Sequence, residues 1–170
     1  MKLVSRYINK VFQSIVLIMN KTIIIAILVA SLLLIAGCTS TKEPEITLTN
    51  ETFVVFKSQS CGCCGGYISY LDGKNVDLKI NVVSDVEPIK DKYNIPVEMR
   101  SCHTTTVGKY FIEGHVPIEA VNKMLQEKPD IDGIALPGMP AGAAGMPGAK
   151  KEKFKIYSIK NGKADMFMEA

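Results

Sequence analysis

The stretch Phe53-Val54-Val55-Phe56-Lys57-Ser58-Gln59-Ser60-Cys61-Gly62-Cys63-Cys64 runs from an apolar segment straight into three thiols. Phe53 to Phe56 reads as a buried strand. Beyond the thiols, Tyr67, Ile68 and Leu71 recur at helical spacing until Gly73 stops them. A thiol at the N-terminus of a helix feels its positive end, which favours thiolate over thiol. Thiolate is the form that attacks disulfides and holds soft metals, so the chemistry is expected at this corner.

Working outward, Val76, Leu78, Ile80 and Val82 alternate with Asp77, Lys79 and Asn81, as in a strand wet on one face at the edge of a sheet. Ser84-x-x-Glu87 predicts a capping box for a short helix bearing Ile89 and Tyr93. Thr104 to Val107 and Tyr110 to Glu113 flank Gly108-Lys109, a two-residue hairpin turn. Pro117 then opens a helix whose Ile118, Val121 and Leu125 share one face. The order is β-α-β-α-β-β-α. With its CxxC after the first strand it resembles a thioredoxin-like α/β fold, and an edge position for the second strand suits the smaller, glutaredoxin-like sheet.

The tail exceeds that core. Residues 131–148 read as a Gly/Pro/Ala loop carrying Met139 and Met146. Phe154 to Ile159 and Ala164 to Met168 then flank Asn161-Gly162, a strong hairpin signal. This ribbon either extends the sheet or folds beside it.

At the front, Ile23 to Gly37 is a nearly unbroken aliphatic run, preceded by Lys21 and ending at Cys38. A cationic start, an apolar middle and small residues before the cut describe a secretory signal. The Cys after Ala36-Gly37 looks like the lipid-bearing residue of a bacterial lipoprotein, and Met19 is a sufficient start for it. The expected organisation is a signal over 1–37, a lipid-anchored tether over 38–51, a core over 52–130, and the loop and hairpin over 131–170. The expected location is the outer face of the cytoplasmic membrane or the cell envelope. Removing 1–37 takes Lys2, Arg6, Lys10 and Lys21 from the 20 basic residues and none of the 17 acids, so the formal charge falls from +3 to −1. No basic face for nucleic acid remains. Nucleotide loops, paired catalytic carboxylates and a Ser-His-Asp arrangement are not found either.

With Cys38 lipidated, Cys61, Cys63, Cys64 and Cys102 remain of five cysteines. Three thiols within four residues close no long loop and make poor stability staples. Thioredoxin relatives place a cis-proline before the third strand, opposite the CxxC. Here Ser101-Cys102-His103-Thr104 fills that place, which brings Cys102 and His103 toward the other three cysteines. His115, just before Val116-Pro117, is either a metal ligand or a histidine that hydrogen-bonds at the helix start. Thiolate and thioether donors select Cu(I), and imidazole suits copper and zinc alike. A structural zinc site is less expected in a domain with its own core. Met139 and Met146 are either soft donors or packing residues.

The blocks Cys61-Gly62-Cys63-Cys64, Ser101-Cys102-His103-Thr104, Ile112-Glu113-Gly114-His115-Val116-Pro117 and Leu136-Pro137-Gly138-Met139-Pro140 resemble an exported metal-binding domain family of unknown function that includes the CopG-type copper-resistance proteins. The resemblance implies a thioredoxin-like fold, copper binding through the Cys and His blocks, and a part in copper tolerance. Carried over by position, the ligands are Cys61, Cys63, Cys64, Cys102 and His103, with His115 and Met139 as further candidates. Ala143-Ala144 and Gly65-Gly66 depart from the family's pattern. Two functional classes follow: a surface-anchored protein handling cuprous ions, with copper-export or copper-oxidase proteins as its partners, or a thiol–disulfide oxidoreductase using Cys61 and Cys64.

Overall fold

The computed structural model describes Lys21 and residues 51–170. The expected signal, its lipid-bearing Cys38 and nearly all of the tether lie outside the described residues. Among those described, no helix is long and apolar enough to cross a membrane.

The elements are β1 (Phe53–Ser58), α1 (Gly62–Asp72), β2 (Leu78–Val83), α2 (Glu87–Lys92), a single 3₁₀ turn (Val97–Met99), β3 (His103–Val107), β4 (Tyr110–Glu113), α3 (Ile118–Glu127), β5 (Gly133–Ala135), β6 (Lys155–Lys160) and β7 (Lys163–Glu169). All strands join one sheet in the order β2-β1-β3-β4-β5-β6-β7. β2 lies parallel to β1, with α1 as the crossover. β3 lies antiparallel to β1 on its other side, and β4 lies antiparallel to β3. The βαβ unit followed by an antiparallel hairpin and a packed helix is a thioredoxin-like core. Among the described residues no peptide bond is cis.

The apolar patterns explain the layering. Ile112 and Ile134 face the main core with Phe53, Val55, Tyr67, Leu71, Val121 and Met124, which come from β1, α1 and α3. Their strand neighbours Phe111 and Ala135 face the other side, against Ile95 and Ile159. Full burial of Ile118, Val121 and Met124 on one stripe of α3 contributes roughly 1.5–3 kcal/mol per side chain. α3 ends at Lys128 in the left-handed region, whose N–H returns to the Met124 carbonyl, and Pro129 blocks continuation. Asn161 and Gly162, both at positive φ, turn β6 into β7.

Three expectations are corrected. Residues 131–148 contain a strand, β5, which pairs parallel to β4 and antiparallel to β6 and so draws the terminal hairpin into the sheet. Three residues carry no periodicity to read; partners on both sides make the strand. The capping box at Ser84 does not form. A helix starting there would place Pro88 where the first intrahelical N–H must donate, and proline has none. The helix begins at Glu87 instead, with Pro88 in its first turn, and the Asp85 carboxylate accepts the Glu87 N–H at 3.0 Å. β2 is the expected edge strand, but Ile80 and Val82 stand exposed.

Candidate metal centre

The turn after β1 is closed by the Cys61 N–H donating to the Ser58 carbonyl, and Cys61 then occupies the N-cap of α1. Cys63 and Cys64 therefore stand on the first helical turn, Cys64 inward and Cys63 half-buried beside solvent. Antiparallel pairing of Lys57 with His103 fixes the start of β3 next to this turn. The positive φ of Gly114 bends the chain off β4 and turns His115 back toward Cys102.

Cys102 is the meeting point. Its sulfur lies 3.4 Å from Cys63 Sγ, 3.2 Å from His103 Nδ1 and 3.4 Å from His115 Nε2. Cys63 Sγ is also 3.6 Å from Cys61 Sγ and 3.6 Å from Met139 Sδ. Cys64 Sγ reaches the Cys102 carbonyl at 3.8 Å. The donor atoms of Cys61, Cys63, Cys64 and Cys102 lie within 4.8 Å of one another, as do those of Cys102, His103 and His115. Cys61, Cys63, Cys64, Cys102, His103, His115 and Met139 are thus brought to one place. Met146 is not: it packs partly buried against the main core.

One feature differs from four open thiolates. Cys61 and Cys64 are joined as a disulfide, leaving Cys63 and Cys102 as the unpaired thiols among the described residues. Four sulfur donors become available only after a two-electron reduction of that bond.

The electrostatics follow from burial. Burial, then contact with Cys63, pushes the Cys102 thiol up to about 12, so the resting thiol is protonated and gives up its proton as a cation binds. Burial, then the neighbouring His115 and Lys90, pushes His103 down to about 3. Burial lowers His115 as well. Both imidazoles are therefore neutral bases at physiological pH, the state a metal requires. His115 Nδ1 lies 2.7 Å from the Ala144 carbonyl and donates to it, leaving the Nε2 lone pair aimed at Cys102. His103 Nε2 is buried with no hydrogen-bond partner among the described residues. Tyr67 walls the pocket from below, its ring 4.7 Å from His103 and its hydroxyl donating to the Val116 carbonyl at 3.0 Å. Burial holds that phenol protonated.

The Gly/Pro loop docks on α1 through glycines. A Cβ at Gly66 would collide with the Gly145 carbonyl, and one at Gly145 with the Gly66 backbone. Gly66 thus permits the close approach that delivers the Ala144 carbonyl to His115.

Sequence reading missed a buried charge pair behind the site. Lys90 Nζ lies 2.5 Å from Glu113 Oε1, both side chains fully buried. Taking both ions out of water costs several kcal/mol each, and good geometry with further hydrogen bonds is needed to offset it. Thr104 Oγ1 donates to Glu113 Oε2 at 2.6 Å, and the Ser101 N–H donates to Glu113 Oε1 at 2.6 Å. The only signal was an acid ending an otherwise apolar strand.

Fold and site together define a thioredoxin-like protein with a Cys/His/Met cluster of metal-ligand chemistry at the end of its first strand. Residues 99–146 match the family model described as "Protein of unknown function, DUF411". No curated protein matches the chain. Among solved structures, one described as "Copper resistance protein copG- Form 2" is 32% identical, with a TM-score of 0.65, over 71% of this chain and 98% of that one. Its Form 1 is likewise 32% identical, with a TM-score of 0.64, over 70% and 96%. The chain belongs to this CopG-type copper-resistance family.

Proposed function

We propose that the chain is an exported lipoprotein that binds copper as Cu(I), in more than one ion per chain, and serves copper homeostasis or resistance. The observation that carries this is the convergence of Cys63 Sγ on Cys102 Sγ, 3.4 Å apart across 39 residues of sequence, with two neutral imidazoles turned on the same sulfur. The names of the solved relatives support copper as the ion. Sulfur-rich donors with a thioether at the rim favour the cuprous state, and zinc is the poorer match. Crowded thiolates suit bridging between ions, copper being cargo here and not a structural part. Metal ions are the first partners, and the lipid on Cys38 places the site at the envelope surface. Each thiolate forms by losing a proton to solvent as copper binds, so affinity falls with pH. The test is metal uptake by air-free, reduced protein. The Cys63→Ser/Cys64→Ser double variant is expected to take up none, and full loading of it would refute the assignment.

The Cys61–Cys64 disulfide favours a second reading, thiol–disulfide exchange. An incoming substrate thiolate would attack one sulfur of that bond and release the other as a thiolate; a second substrate thiolate would then resolve the mixed disulfide. Insulin reduction by the metal-free protein with dithiothreitol as electron donor separates the two readings: dithiothreitol opens the Cys61–Cys64 bond, the freed thiolates attack an insulin disulfide and re-form that bond, and sustained turnover favours exchange.

A further inference from the structure

The geometry points to Glu113 as the positioning residue of the metal centre: held by Lys90, its carboxylate fixes the turn that presents Cys102 and, through Ser101, the loop that presents Met139. This deepens the metal-binding reading above and rests on it.

Glu113 ends β4, opposite Thr104 in the β3–β4 register, and its side chain is buried under the turn before β3. Oε1 accepts from Lys90 Nζ and from the Ser101 N–H, while Oε2 accepts from the Thr104 hydroxyl. Lys90 Nζ also reaches Thr104 Oγ1 at 3.2 Å. A single anion therefore ties α2, β3 and the residue directly before Cys102. Ser101 carries the link further, because its hydroxyl donates at 3.0 Å to the carbonyl of Gly138, the neighbour of Met139. Gly114 keeps the path open, since a Cβ there would lie 2.7 Å from the Ser101 side chain. Apolar residues of similar volume often fill such a place without loss of stability. A bare ion pair is thus a poor reason to bury charge here. Fixing two ligand arms with one carboxylate, in a turn that has no proline to stiffen it, is a sufficient one.

The test uses the metal-free full chain in detergent with the Cys61–Cys64 disulfide intact, so that Cys63 and Cys102 are the reacting thiols. A fluorogenic bis-alkylating reagent reports how readily one molecule bridges them, and peptide mapping confirms the bridge. In Lys90→Met/Glu113→Met, bridging is expected to slow at least tenfold with the thermal midpoint retained, and Cu(I) affinity of the reduced form to fall at least tenfold. Ser101→Ala keeps the backbone N–H on Glu113 and is expected to speed Cu(I) release, as loss of the Met139 arm would. Should the double variant fail to fold, Glu113→Asp keeps Lys90 paired but draws the carboxylate one methylene back from Ser101, with the same shifts expected. Wild-type bridging and wild-type Cu(I) affinity in a folded variant would overturn the proposal. If the wild-type chain takes up no Cu(I), the metal reading fails, while the bridging comparison still decides what Glu113 does.

Discussion

The Nδ1–H of His115 is held by the carbonyl of Ala144 at 2.7 Å, which couples the Gly/Pro loop to an imidazole on the far side of the site. The loop is held in turn by the contact of Gly145, at φ +72°, with the backbone of Gly66.

A methyl group at Gly145 acts on the site from a distance. Gly145→Ala meets the α1 backbone and strains a left-handed residue, at about 1–3 kcal/mol. With the loop displaced, His115 loses the acceptor that fixes its tautomer. Outer partners of this kind alter metal affinity roughly 10–100-fold. Competition with a chromogenic cuprous chelator should show a loss of that order although every ligand is intact. Wild-type affinity in this variant would show that the loop does not orient the ring.

Met139 separates ligation from stability. Its side chain is half-exposed, 51% by area, with its sulfur 3.6 Å from Cys63. Met139→Leu keeps the volume and removes the soft donor. The thermal midpoint of the metal-free protein should move by less than about 0.5 kcal/mol equivalent, while the bound cuprous ion leaves faster. Unchanged release kinetics would place Met139 among packing residues.

Acid should loosen the metal-free fold through its histidines. The unfolded chain binds a proton at His103 near the ordinary value of about 6.5, whereas the folded chain resists until about 3 because of burial. Between those values the unfolded state holds the extra proton. The stabilisation is complete above about 6.5 and is lost as pH falls, by up to about 1.4 kcal/mol per pH unit for this one residue. His115, lowered by its own burial, adds in the same direction. Denaturant midpoints measured from pH 7 to pH 5 should fall steadily, and a flat profile would mean that neither imidazole is kept neutral by the fold.

Much of this was legible in the chain. Strand-then-helix around Cys61, the Gly108-Lys109 hairpin and the Asn161-Gly162 ribbon are local signals, and the structure repeats them. The proximity of Cys102 to the first three cysteines followed from topology alone. What was illegible depends on long-range partners. β5 is too short to show a pattern. Lys90 looks like a solvent-facing residue of α2 until it meets Glu113 across 23 positions. The Ala144 carbonyl belongs to the backbone and leaves no mark in residue identity. The Cys61–Cys64 bond is a choice among four nearby sulfurs that spacing leaves open.

An air-free titration of reduced protein with Cu(I), run beside its oxidised form and Cys102→Ser, probes the site most directly. More than one tightly held ion per reduced chain is expected, with far fewer in the oxidised form and in the variant. Equal uptake by all three samples, or none by the reduced wild-type chain, would contradict a copper site built around Cys102.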